Sequence, residues 1–203
     1  MTTFDTRDPS LPEFWSERFA HAYTPWDRGG VPVQLQQFVA QAGRPYTALI
    51  PGCGTGHEVA CLCEAGWDVT AIDFSGTAVK AARQRLPRWA ERIVEADFFK
   101  YVPVTPVELI YERAFFCALP PHLRPALVAR WAELLPPGGL LAGFFFFGEN
   151  PKGPPFGIAP DELEALLSPS FARIIDLAVS DSLPVFAGKE RWQVWQRRSS
   201  SPA

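Results

Sequence analysis

A β-rich run, Thr47 to Ile50, leads into Pro51-Gly52-Cys53-Gly54-Thr55-Gly56, and an apolar helical pattern begins near Glu58. Glycines at such a junction let the chain turn sharply and let backbone approach a ligand closely, at the carboxyl edge of a sheet where α/β folds bind ligands. The next β-rich run, Asp68 to Ile72, ends at Asp73, the place of a carboxylate that accepts hydrogen bonds from ribose hydroxyls. By themselves the first feature could be only a turn and the second only a helix cap. Together they predict a nucleoside site built from Pro51, Gly52, Gly54, Gly56 and Asp73.

The spacing separates two classes of nucleoside cofactor. Dinucleotide folds use G-x-G-x-x-G around a pyrophosphate, whereas this chain has G-x-G-x-G followed by His57 and Glu58. A carboxylate at that helix start repels a pyrophosphate and tolerates a cationic sulfonium. S-adenosylmethionine therefore fits better than a nicotinamide dinucleotide. Further on, Glu95-Ala96-Asp97-Phe98-Phe99 follows a third β-rich run. There Asp97 could bond an adenine amino group and Phe98 cover the ring; a turn aspartate beside a core phenylalanine is the plainer alternative.

These residues need a sheet to position them. Strands are expected at Thr47 to Ile50, Asp68 to Ile72, Arg92 to Ala96, Val107 to Tyr111, Leu140 to Phe147, near Ile174 to Val179, and Trp192 to Arg197. Helical patterns fall between them: Glu58 to Ala65, a segment capped by Ser75 carrying Val79, Ala82, Leu86 and Trp89, His122 to Leu135, and a short helix after Pro160. Another, marked by Val31, Leu35, Phe38, Val39 and Ala42, precedes the sheet. Strands alternating with amphipathic helices mark parallel βαβ units. The expected fold is α/β, a Rossmann-like seven-stranded, mostly parallel sheet with helices on both faces and an N-terminal helical extension.

Composition limits the partners. The 203 residues, 47% hydrophobic and 20% charged, suit one folded domain, with an extension over residues 1–45 and a core over 46–198. A net charge of −3 argues against a nucleic-acid partner, and the basic stretch Arg83 to Arg92 reads as a solvated helix face. The first residues hold no apolar run, and Leu140 to Phe147 is too short to span a bilayer, so neither export nor membrane insertion is expected. Cys53, Cys61, Cys63 and Cys117 show no zinc-ligand spacing and read as reduced thiols. The expectation is a cytoplasmic monomer or weak homo-oligomer acting on a small molecule, with no metal.

The chain resembles the class I S-adenosylmethionine methyltransferases of the thiopurine S-methyltransferase superfamily, which includes thiol and halide methyltransferases. The resemblance rests on Phe14-Trp15 with Phe19, Thr24-Pro25-Trp26-Asp27, Leu49 to Glu58, Asp73, Ala96-Asp97-Phe98, Tyr111-Glu112-Arg113, Ala118-Leu119-Pro120-Pro121 with Arg124, and Gly153-Pro154-Pro155-Phe156. It implies that the N-terminal extension folds over the cofactor and that Trp15 and Trp26 touch it. An indole face attracts a soft cation such as a sulfonium. The same resemblance puts ribose on Asp73, adenine beside Ala96 to Phe98, and Arg113 at the methionine or acceptor end; a structural pairing of Arg113 with Glu112 or Asp27 stays open. Amino-group methyltransferases carry an N/D-P-P-Y/F motif after the fourth strand, where this chain has Tyr111-Glu112-Arg113-Ala114.

The acceptors implied are thiols, thiopurines, halides or chalcogen compounds. Those already ionised need positioning and desolvation more than a base. No nucleophile and base pair stands out: His21 reads as a helix surface, His57 as part of the glycine turn, and His122 as a helix start. A non-catalytic nucleoside-binding sensor of the same fold is the alternative.

Overall fold

The computed structural model describes residues 4–27, 29–148, 150 and 152–199. Its strands are β1 (Thr47–Pro51), β2 (Asp68–Asp73), β3 (Ile93–Glu95), β4 (Leu109–Arg113), β5 (Leu140–Phe146), β6 (Phe171–Ala178) and β7 (Glu190–Arg197). They form one sheet in the order β3-β2-β1-β4-β5-β7-β6. β1 to β5 pair parallel, and β7 runs antiparallel between β5 and β6. The helices are α1 (Pro12–Ala20), α2 (Val33–Gln41), α3 (His57–Glu64), α4 (Gly76–Arg85), α5 (Arg124–Leu134) and α6 (Pro160–Leu167).

Side chains alternate across the strands and split the core in two. Ala48 and Ile50 of β1 join Leu35 of α2, Val59 and Leu62 of α3 and Val79 and Ala82 of α4 on one face. Leu49 joins Leu127 and Trp131 of α5 and Leu163 and Leu167 of α6 on the other. All of β5 is buried, as a strand between two helical layers must be.

Two local outcomes differ from the sequence expectation. The helix capped by Ser75, whose hydroxyl accepts the Ala78 N–H, stops at Arg85, and a 3₁₀ turn over Pro87–Arg92 follows. Pro87 has no N–H and its ring excludes the preceding helical turn, so Leu86 and Trp89 reach the core from separate elements. β4 runs two residues later than expected and carries Glu112 and Arg113 within the strand. The predicted helical extension includes α1, to which the sequence assigns no bounds. α1 crosses the start of α4, where Ser16 Oγ lies 2.9 Å from Ser75 Oγ.

β1 lies between β2 and β4, so the chain leaves the sheet in opposite directions on the two sides of β1. That switch point opens a crevice at the carboxyl ends of the strands.

Candidate active site

The crevice is a cavity of about 860 Å³, within the range of small-molecule sites. Gly52 and Gly54 of the turn line it, and Gly52, Gly54 and Gly56 all adopt left-handed backbone, with φ of 59°, 52° and 74°. A Cβ on Gly52 would stand 2.6 Å from the Phe115 ring, so only glycine lets that ring close over the turn. Asp73 is buried at the cavity wall; its Oδ2 accepts the Gly54 N–H at 3.0 Å and its Oδ1 accepts the Ser75 N–H at 2.9 Å. Burial pushes its pKa up to about 6 against the pull of these N–H donors. Each carboxylate oxygen keeps a lone pair for a further donor.

Pro51 and Gly56, expected at the ligand, are not on the cavity wall. Pro51 is buried in the β1 ladder opposite Ile72. Gly56 faces the helices: a Cβ there would lie 3.2 Å from Leu86 Cδ1 and 3.5 Å from Ala82 Cβ. Its role is the close approach of α3 and α4.

Asp97 and Phe98 both line the cavity. Asp97 also accepts the Phe99 N–H at 2.9 Å and pairs with Lys100 at 3.1 Å, while Phe98 is buried edge-on to Phe115. The turn-and-core role and the cavity-wall role thus coincide.

The N-terminal extension covers this end. Trp15 and Trp26 line the cavity edge to face, 5.3 Å between ring centroids. Trp15 is anchored by its Nε1–H, which donates to Pro9 O at 2.8 Å. Asp27, the next residue after Trp26, ties the extension to the glycine turn. It accepts the Thr55 hydroxyl at 2.7 Å and the Gly29 N–H at 2.7 Å, and lies 2.8 Å from His57 Nε2. Burial pushes its pKa up, but the bonds from His57, Thr55 and Gly29 outweigh that and hold the carboxyl well below its usual range. In the sequence this cluster shows only as an aspartate beside Trp26 and a histidine in the glycine turn.

Arg113, at the end of β4, also lines the cavity. Its partner is neither Glu112 nor Asp27: the guanidinium lies over the Phe144 ring at 4.2 Å and NH1 is 3.6 Å from Glu190 Oε1. Glu112 instead accepts the N–H groups of Phe115 and Phe116 at 2.9 and 2.8 Å, and burial lifts its pKa to about 7. Those two bonds hold Ala114, which lies between, at φ 57° on the cavity wall. A non-glycine residue in that region costs about 1–2 kcal/mol. The Gly153-Pro154-Pro155-Phe156 segment closes the rim: Pro154 and Pro155 line the cavity, Phe156 N–H donates to Cys117 O at 2.6 Å, and Arg124 donates to Phe156 O and Gly157 O at 3.2 and 2.8 Å.

Comparison with known proteins agrees with this architecture. A magnesium protoporphyrin IX methyltransferase from Synechocystis PCC 6803 with bound S-adenosylmethionine superposes with a TM-score of 0.73 at 15% identity, covering 96% of this chain and 100% of that one. A Burkholderia thailandensis 1,6-didemethyltoxoflavin-N1-methyltransferase with bound S-adenosylhomocysteine gives 0.77 at 18%, covering 98% and 94%. The fold is thus the Rossmann-like fold of S-adenosylmethionine-dependent methyltransferases. The family described as thiopurine S-methyltransferase matches residues 11–199, and the chain belongs to it; it is an S-adenosylmethionine-dependent methyltransferase. Among its relatives, an Arabidopsis thaliana protein named "Probable thiol methyltransferase 2" is 31% identical over 92% of this chain and 85% of its own. A thiopurine S-methyltransferase of Vibrio atlanticus (strain LGP32) is 26% identical over 84% of this chain and 87% of its own.

Proposed function

We propose that this protein transfers the methyl group of S-adenosylmethionine to a small soft nucleophile, a thiol, thiopurine, halide or chalcogen compound. The observation that carries this reading is one cavity shared by the glycine turn with Asp73, two indoles of the extension, and Arg113. Gly52, Gly54 and Asp73 would hold the nucleoside, with Asp97 and Phe98 at the adenine and Trp15 and Trp26 toward the sulfonium. Bound there, S-adenosylmethionine supplies an electrophilic methyl group on a cationic sulfur. The protein's part is to exclude water, to align the nucleophile with the methyl group, and to offer Arg113 to a developing or formal negative charge. The relatives named for thiol and thiopurine methylation support this acceptor class.

In this reading the chain works as a single domain, residues 1–45 covering the cofactor over a 46–198 core. It acts in the cytoplasm as a monomer or weak homo-oligomer, without nucleic acid. Among the described residues no helix is long and apolar enough to cross a membrane. The test is incubation with methyl-labelled S-adenosylmethionine and a panel of thiols, thiopurines, iodide, selenite and tellurite. Labelled product from at least one acceptor is expected. Donor binding without any product would favour the sensor alternative.

A further inference from the structure

Resting on the methyltransferase reading, we propose that Glu58 is the general base of the site, taking the proton of a neutral thiol acceptor as its sulfur attacks the methyl group. Glu58 lies in the first turn of α3, at the switch point between β1 and β4, and lines the cavity. Its carboxyl is directed at β4, with Oε1 3.4 Å from the Tyr111 hydroxyl, the same strand end that carries Arg113. It thus shares the cavity wall with Arg113 and with Asp73.

The other cavity carboxylates are engaged. Asp73 accepts two backbone N–H groups, Asp27 holds Thr55, Gly29 and His57, and Asp97 holds Phe99 and Lys100. Among the described residues Glu58 has only the long Tyr111 contact besides its own N–H. The groups that face it are Tyr111 and Arg113 from β4, His57 and Cys61 from α3, Cys53 from the turn, and Asp27 from the extension. Burial pushes its pKa up, Asp27 adds to the rise, and Arg113 and His57 oppose it, so its proton affinity moves toward that of a thiol.

The step balances. The thiol proton passes to a Glu58 carboxylate oxygen; the sulfur lone pair forms the new S–CH₃ bond; the old bond from methyl carbon to sulfonium breaks, and its electron pair leaves a neutral thioether. An acceptor that is already an anion has no proton to give, and its methylation does not use Glu58.

The test compares Glu58→Gln with the native enzyme on two acceptors near pH 7, an alkyl thiol and an ionised aromatic thiol, with donor Kd measured separately by calorimetry. We expect kcat/KM for the alkyl thiol to fall by about 100-fold or more, within the usual contribution of a positioned base, and by at least about tenfold more than for the aromatic thiolate. In native enzyme at saturating donor, the alkyl-thiol pH profile should carry an acid limb; in Glu58→Gln the rate should instead track the ionisation of the thiol itself. Glu58→Asp should restore part of the loss. An equal loss on both acceptors would overturn the base role while leaving the methyltransferase reading intact. The selective loss appearing in His57→Gln but not in Glu58→Gln would also overturn it. If Glu58→Gln does not fold, a native alkyl-thiol profile without an acid limb overturns it alone. Absence of native turnover with every acceptor sinks both.

Discussion

Replacing Asp73 by asparagine should weaken cofactor binding without weakening the ligand-free fold near neutral pH. In the native protein burial raises the Asp73 pKa from 3.8 to about 6. A rise of about 2 units is a cost of about 3 kcal/mol once the group is ionised. The sign follows from linkage: the raised group contributes stability that is fully present below its unfolded value and lost as pH climbs through the folded one. Asparagine has no such cost, but it keeps one acceptor oxygen for two N–H groups and leaves one unpaired at about 1–3 kcal/mol. The ligand-free variant should therefore equal the native protein or exceed it by up to about 2 kcal/mol near pH 8, the difference of those two terms. Between about pH 5 and pH 8 the balance should move in favour of the variant by about 1–1.5 kcal/mol. Cofactor binding should weaken by about 1–3 kcal/mol, roughly 5- to 150-fold in Kd, because buried ribose hydroxyls lose a charged acceptor. Denaturant unfolding at the two pH values and calorimetric titration measure both quantities. An unchanged Kd would remove Asp73 from the site, and a stability difference that ignores pH would refute burial as the cause of the raised pKa.

Asp27→Ala should release the extension from the glycine turn, costing about 1–3 kcal/mol in stability and raising the cofactor KM. Because the native Asp27 pKa is depressed, its contribution is present above the unfolded value and is lost as pH falls through the folded one, so the variant and native unfolding midpoints should converge in acid. Gly56→Ala should cost about 1–2 kcal/mol through its left-handed backbone and crowd Leu86, yet leave cofactor Kd unchanged; a large rise in Kd would return Gly56 to the cavity wall. Trp26→Ala should weaken S-adenosylmethionine by about 0.5–2 kcal/mol and weaken S-adenosylhomocysteine, whose sulfur carries no charge, less. Equal losses, read by calorimetry with the two ligands, would exclude a cation–π contact.

The part of the candidate site around the glycine turn was legible because it is local. The Gly52 to Gly56 turn, Asp73 and Asp97 each lie within a few residues of a strand end, and short β-rich runs mark those ends. The same motif misled at Pro51 and Gly56, since spacing alone does not tell a glycine that admits a ligand from one that admits a neighbouring helix. The part around Arg113 was less legible because it depends on pairings across the sheet. Glu190 begins β7 and meets Arg113 of β4 over Phe144 of β5, and no local pattern announces that contact.

Polar residues inside β4 hid its true register. Glu112 is fully buried, yet it reads as a loop residue until its carboxylate is seen capping the Phe115 and Phe116 amides. Pro87 gave a visible stop that the apolar spacing of Leu86 and Trp89 overrode. In the extension, Phe14 and Trp15 stand out for their aromatic chemistry, while the bounds of the helix that presents them, opened by Pro12, do not.

The most direct measurement of the central claim is a single turnover with ¹³C-methyl S-adenosylmethionine and an aromatic thiol, followed by NMR and mass spectrometry. The account predicts one labelled S-methyl product for each S-adenosylhomocysteine formed. Tight donor binding with no S-adenosylhomocysteine and no methylated product, from the aromatic thiol and from every other acceptor of the panel, would contradict it.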